Sequence, residues 1–408
     1  MTQLLILIRQ KLKIVQDISY SIIASFISVG VMQLFLFPML ASIFDSTEYG
    51  QLLTVMGIVN TISSTIGITL NNTRLIQQSR YDENGLHGDF NLLLTYANVI
   101  GFIVILFIGN LMVGFSMSTI LLLAILTMLI SIKSYLVVSY RIVLNYKLNL
   151  LCNIVTSFGY IVGIVVVYYT SVWPLAFIIA EAMGLLFVLF TSDLHKETYS
   201  RTSLFQESII KYFFLILTGL LGNLLVYMDR LIIYPVLGGE AVSVYATASF
   251  FGKSLGILMT PIAGVLLSYF SQKTFTINRK RFWTINIVIL VISFLFLVFT
   301  IIVAPWFTGI LYPDLIEGAR PYLFYANLAA IIGVTSNIVL PSVLKFAPVY
   351  WQVVKEVIYG IVYLGLGYFF LVKYGIIGFC WAAILANIIR LFLLLVIGTV
   401  FIKDKELL

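Results

Sequence analysis

Apolar runs of about 20 residues recur from one end of this chain to the other, and no other feature narrows its possible folds so far. That is the length a helix needs to cross the hydrocarbon of a bilayer. In that solvent only helices and closed barrels satisfy every backbone polar group, and the ten-residue alternation of barrel strands is absent. The chain is 61% hydrophobic and 10% charged over 408 residues, whereas soluble domains carry about a quarter charged residues. The expectation is an all-α integral membrane protein.

Twelve transmembrane spans are read, roughly 19–43, 51–76, 91–115, 118–140, 150–170, 173–192, 208–236, 241–271, 283–308, 321–342, 350–372 and 375–401. The most polar connection, 193–207, is the expected joint between an N-terminal six-helix bundle, 1–200, and a C-terminal one, 201–408. Basic residues set the orientation. With the amino terminus in the cytoplasm, inside segments hold eighteen of the 24 Lys and Arg, and outside loops hold only Arg320 and Lys373. Both termini are then cytoplasmic. The net charge of +7 is a topology signal and needs no nucleic acid. The first residues have too short an apolar core for a signal peptide.

The remaining four cations, Lys133, Arg230, Lys253 and Arg390, fall inside spans. A charge at such depth costs about 3 kcal/mol on insertion scales, so it marks a function or a specific partner. The stretch 226–253 is the densest. Asp229 and Arg230 lie side by side, Pro235 and Gly238-Gly239 break the helix, and Tyr245 and Lys253 follow. A second copy, Phe37-Pro38 through Tyr49-Gly50, opens the chain, and further on Tyr160 pairs with Tyr363 and Ala180 with Ala383. Six spans per repeat is an even number. The repeats are therefore expected to insert in the same orientation, about an axis along the membrane normal, with a substrate path between them.

Span two carries a stripe of Gly57, Asn60, Ser64, Gly67, Asn71, Arg74 and Gln78 at helical spacing, and span eight answers with Ser249, Lys253, Gly256, Thr260 and Ala263. Such faces wall a shared lumen, or they pack closely through small residues. The cations Arg74 and Lys253 favour the lumen, since packing requires no charge, although Arg74 can also snorkel to headgroups. Lys253 is about 12 residues into its span, roughly 18 Å deep. Arg230 and its repeat mate Gln33 are further candidates to line the lumen. Asp229 points away from Arg230 and reads as half of a structural ion pair. Glu181 and Arg390 are single charges with a structural or coupling role, and Lys133 can snorkel inward. Pro38, Pro235 and Pro261 are hinges or static kinks.

No enzyme signature emerges. His87 and His195 sit in inside loops without a second ligand at metal spacing, Cys152 and Cys380 lie in apolar runs, and no nucleophile elbow or phosphate-binding loop is present. Asp45-Ser46-Thr47-Glu48 suggests a glycosyltransferase carboxylate at most. Ser46 as a helix cap explains it more simply.

Several motifs carry a resemblance. They are Phe37-Pro38 through Glu48-Tyr49-Gly50; Asp229-Arg230-Leu231-Ile232-Ile233 with Leu237-Gly238, Val244-Tyr245 and Ala248; and Tyr374-Gly375-Ile376-Ile377-Gly378-Phe379-Cys380-Trp381-Ala382-Ala383. In order and spacing these resemble the polysaccharide flippases of the superfamily that also holds the multidrug and toxin extrusion (MATE) exporters. The resemblance implies a MATE-like fold in the bacterial cytoplasmic membrane. It implies a carrier, not an enzyme, for an oligosaccharide linked to polyprenyl pyrophosphate, such as an O-antigen or capsule repeat unit. Membrane lipids would surround a monomer that needs no cofactor, driven by protons, sodium ions or the membrane potential, with a polysaccharide polymerase and a chain-length regulator as partners. Arg74, Arg230 and Lys253 fall where that family's cationic lumen would be. The first span lacks the drug exporters' carboxylate, and the chain lacks the two extra helices of the peptidoglycan-precursor flippase. A small-molecule exporter of the same fold is the alternative. A membrane polymerase or glycosyltransferase is disfavoured by the short outside loops.

Overall fold

The structure, a computed structural model, describes residues 16, 19–112, 115–270, 278–344 and 346–402. At 255, 257, 258, 260–270, 344, 349 and 352 it describes the backbone alone. Among these residues ten helices are long and apolar enough to cross a membrane. They are α1 (Ser19–Ile43), α2 (Ser46–Asn84), α3 (Asp89–Leu111), α4 (Met117–Ile142), α5 (Tyr146–Thr170), α6 (Pro174–Thr191), α7 (Phe205–Phe270), α8 (Arg279–Leu311), α9 (Leu323–Leu344) and α10 (Val349–Phe401). Their outward faces are apolar: Phe190 is 86% exposed and Ile302 72%, while Asn98, Ser131 and Asn286 are buried. That inversion suits a hydrocarbon solvent. The protein is a multi-pass membrane protein.

Helix starts follow from local chemistry. The Asp45 carboxylate accepts the N–H groups of Thr47 and Glu48 at 2.8 Å, so Asp45 caps α2 where Ser46 was expected. A carboxylate there also faces the positive end of the helix. Ser116, Asn145 and Asn278 cap α4, α5 and α8. Inside the helices Thr54, Thr61, Ser63, Thr127 and Thr156 return their hydroxyls to the carbonyl four residues back. These groups are thereby satisfied without water.

Three departures from regular helix matter. In α1 residues Met32–Leu36 are π-helical, and the Phe37 N–H bonds back to Met32. Pro38 follows immediately and offers no N–H of its own, and the widened turn absorbs that gap. In α7 Gly238 has φ 80° and ψ −175°, and in α10 Gly375 has φ 64° and ψ −151°. That region of backbone space is open essentially to glycine alone. Both bends fall where the sequence reading ends one span and begins the next.

The chain forms two compact units, Met1–Ile43 with Val55–Tyr227, and Phe44–Thr54 with Met228–Leu408. In the first, α5 lies so close to α6 that a Cβ at Gly163 would stand 2.6 Å from the Ala176 Cα. The start of α7, up to Tyr227, belongs to this unit. Its Tyr212 hydroxyl donates to the Ile66 carbonyl at 3.0 Å, and Asn223 reaches Thr65 at 3.1 Å. The core gathers Leu70, Tyr81, Phe90, Tyr135, Tyr140 and Val188. In the second unit Phe282, Val339, Val343, Leu394 and Ile397 form the core.

The expected joint, 193–207, lies inside the first unit and is fastened to it. Asp89 is fully buried. It accepts from the Tyr81 hydroxyl at 2.6 Å, the Thr202 N–H at 2.7 Å and the Thr202 hydroxyl. Ser208 bonds both Tyr81, at 2.7 Å, and Gln77. Asn91 donates to the carbonyls of Leu194 and Glu197. On the exposed edge Lys196 holds the Asp193 carboxyl below its ordinary range. This clasp was not foreseen, because its acceptor, Asp89, reads in sequence as an ordinary helix-start acid.

Candidate functional site

Each of the four cations placed inside spans, Lys133, Arg230, Lys253 and Arg390, has a carboxylate partner or a backbone one. In the second unit the bend at Gly238 brings the two arms of α7 together, and Lys253 of the later arm is ion-paired with Asp229 of the earlier one. The Asp229 side chain is 5% exposed and that of Lys253 37%. The Lys253 ammonium also lies 5.2 Å from the centre of the Tyr245 ring. Arg230 points elsewhere and donates to the Leu53 carbonyl at 3.0 Å.

A second group was missed in part. Glu356 accepts from Lys355 at 2.7 Å and from Arg390 at 3.1 Å. Arg390 is therefore not the single charge expected, and Lys355, near the start of the span read at 350–372, is 1% exposed. The signal was available. Lys355-Glu356 and Arg390 lie on opposite sides of Gly375 within 20 residues of it, so a hairpin there lays their stretches side by side. Arg390 also lies 4.8 Å from the Tyr359 ring centre. From Tyr359 a run of rings passes through Tyr363 and Phe379 to Tyr245, with centroids 5.1–5.8 Å apart. The two charged groups are thus joined by aromatic side chains.

In the first unit Lys133 pairs with Glu181 at 2.6 Å, and the Tyr160 hydroxyl donates to the same carboxylate at 3.0 Å. Glu181 is not a lone charge and Lys133 does not snorkel, because each sits within reach of the other between α4 and α6. Tyr160 and Tyr363, paired in the sequence reading, adjoin these charged clusters, although the charges themselves do not match in that pairing.

Arg74 departs furthest from expectation. It is 2% exposed and grips Glu197 with both terminal nitrogens, at 2.7 and 2.8 Å. Its Nε donates to Gln78 at 2.9 Å, and its guanidinium stands 4.8 Å from the Phe90 ring centre. This fork geometry uses the charge to anchor the clasp. Asn71 is also committed, donating to the Ser134 carbonyl at 2.9 Å and accepting from Arg141 at 2.7 Å. Asn60, Ser64 and Gln33 are partly buried, Gln33 within the π-helical turn. Pro38 is buried and Pro235 exposed. The side chains of Thr260 and Pro261 lie outside the described residues. Among the described residues no group of three or more His, Cys, Asp or Glu could hold a metal ion, and both cysteines are buried and free.

No protein-family profile matches this sequence, and no curated protein is significantly similar to it. Solved structures do match in fold. An inward-facing multidrug-resistance MATE family transporter matches with a TM-score of 0.67 at 14% identity, over 94% of this chain and 100% of that one. An outward-facing structure of such a transporter gives 0.60 at 13% identity, covering 95% of each chain. A MATE transporter of Vibrio cholerae gives 0.58 at 15% identity, again over 95% of each. The chain thus has the MATE transporter fold over about 94% of its length.

Proposed function

We propose that this protein is an alternating-access flippase that carries a polyprenyl-pyrophosphate-linked oligosaccharide from the inner to the outer leaflet of a bacterial cytoplasmic membrane. In this reading twelve spans form two repeats of six, related by an axis along the membrane normal, with both termini cytoplasmic. The observation that carries it is charge imbalance at membrane depth. In the second unit Asp229 stands with two cations, Lys253 and Arg230, and Glu356 stands with two, Lys355 and Arg390. In the first unit Lys133 with Glu181 and Arg74 with Glu197 are one to one. A surplus of fixed positive charge suits an anionic cargo and disfavours the apolar cations that a carboxylate-lined cavity attracts. The part-exposed Lys253 is the residue that meets pyrophosphate, and Asn60, Ser64 and Gln33 offer polar groups to sugar hydroxyls.

The second reading, a multidrug exporter, is favoured by the descriptions of the matched structures. Deletion of the gene separates the two. A flippase mutant accumulates lipid-linked repeat units on the cytoplasmic leaflet, loses its surface polymer and keeps its drug susceptibility. An intact polymer with accumulation of cationic dyes would establish the exporter and discard the flippase.

A further inference from the structure

The first unit contains a cavity of about 320 Å³ that neither the ion pairs nor the core explains. It lies at the end of the bundle where α3 begins and where α4 and α6 finish. Its walls include Leu94, Val99, Met128 and Leu189, and the clasp closes one end with His195 and Tyr199. The volume is at the low end of small-molecule pockets, enough for one hydrocarbon chain.

The surroundings say what fits. Val99, in the wall, is 51% exposed, and its neighbours Tyr96, Ile100 and Ile103 are exposed apolar residues of the same helix. The mouth therefore opens onto the lipid-facing side of α3, within its first three turns, or roughly 15 Å of the helix start. That is within reach of the acyl chains of a bilayer whose hydrocarbon is about 30 Å thick. The polar end is ready for a ligand. The Nδ1 atom of His195 is buried and has no hydrogen-bond partner, and a buried polar atom left unmade is costly. Arg201 reaches the Tyr96 hydroxyl at 3.5 Å, beside the mouth. The neighbouring acids are already engaged, Glu197 by Arg74 and Asp193 by Lys196. The cation beside the mouth is Arg201.

We propose that this cavity binds one acyl chain of an anionic phospholipid from the membrane leaflet on the clasp side, with the phosphate held by Arg201 and His195. The site lies wholly within the first unit, and the assignment is independent of which cargo the protein carries.

The test is lipid titration of the purified full-length protein, read by native mass spectrometry. The probes are phosphatidylglycerol, phosphatidylcholine and glycerol 3-phosphate. The expected result is one tightly retained phosphatidylglycerol, weaker phosphatidylcholine and no binding of glycerol 3-phosphate, which has the phosphate but no chain. Met128→Trp, which fills the cavity, and Val99→Trp, which blocks its mouth, remove the retained lipid. Arg201→Gln weakens phosphatidylglycerol roughly tenfold, the loss of one charge-assisted contact, and erases its preference over phosphatidylcholine. Val99 stands half outside the core, so its variant decides the matter if Met128→Trp does not fold. Phosphatidylglycerol retained undiminished by Val99→Trp, or phosphatidylcholine bound as tightly as phosphatidylglycerol by the unaltered protein, overturns the proposal.

Discussion

Lys133 and Glu181 illustrate how a buried pair differs from either of its members. Removing one partner leaves a charge in a low-dielectric site, which costs about 3–5 kcal/mol, whereas replacing both with apolar residues is often close to neutral. Lys133→Met is therefore expected to lower the melting temperature in detergent sharply, and Lys133→Met with Glu181→Leu to restore most of it. Equal melting temperatures for the single and double variants would show the two charges to be uncoupled. Arg74 belongs to the same class. Arg74→Ala is expected to destabilise the fold before it affects transport, because it strands Glu197 and loosens the clasp. Lys253→Arg keeps the charge beside Asp229 and is expected to retain more transport than Lys253→Ala in a surface-polymer assay. Sequence exposed each of these charges as anomalous, since a charge in a 20-residue apolar run stands out without any structure. It did not reveal their partners, because partner choice depends on which helix faces lie together. Arg74 and Glu197 are 123 positions apart, and no local periodicity connects them.

At the scale of the element, the glycines divide into those that bend a helix and those that merely occupy one. Gly375 has positive φ and turns α10 back on itself. Gly365 lies in the helical backbone of the same element, with nothing within 4 Å of the position a Cβ would take. Gly375→Ala is expected to cost on the order of 1–3 kcal/mol through backbone strain. Gly365→Ala is expected to leave stability unchanged or raise it by up to about 1 kcal/mol, since alanine is the better helix former. Thermal unfolding of the two variants side by side checks this, and similar shifts in the same direction would contradict the account. Helix positions were largely legible in sequence for the same physical reason: apolar length, a Gly-Gly or Tyr-Gly break and a capping side chain each act locally. The π-helical turn before Pro38 was half legible, as proline announces a disturbance but not its form.

For the whole molecule, orientation is the property that charge placement forecasts most directly. Glu48, Asp314, Arg80 and Lys280 are all exposed, so single cysteines at these positions are open to reagents. The native Cys152 and Cys380 are buried, which keeps the background low. An impermeant thiol reagent added outside intact cells is expected to label the Glu48→Cys and Asp314→Cys proteins and to spare Arg80→Cys and Lys280→Cys. The reverse pattern at either pair would rule out the proposed orientation.

The clasp also decides where the gene can be cut. A two-gene version divided near residue 200 would leave Thr202 and Ser208 on the second polypeptide, and Asp89 on the first would keep only Tyr81 of its side-chain and backbone donors. A division at Gly238, where the backbone already leaves the helix, keeps the whole fastening on one fragment. A polypeptide ending at residue 237 is therefore expected to persist in cells, and one ending at residue 200 to be degraded. The stretch 193–207, expected as a joint between two bundles, is thus part of the first unit's own architecture.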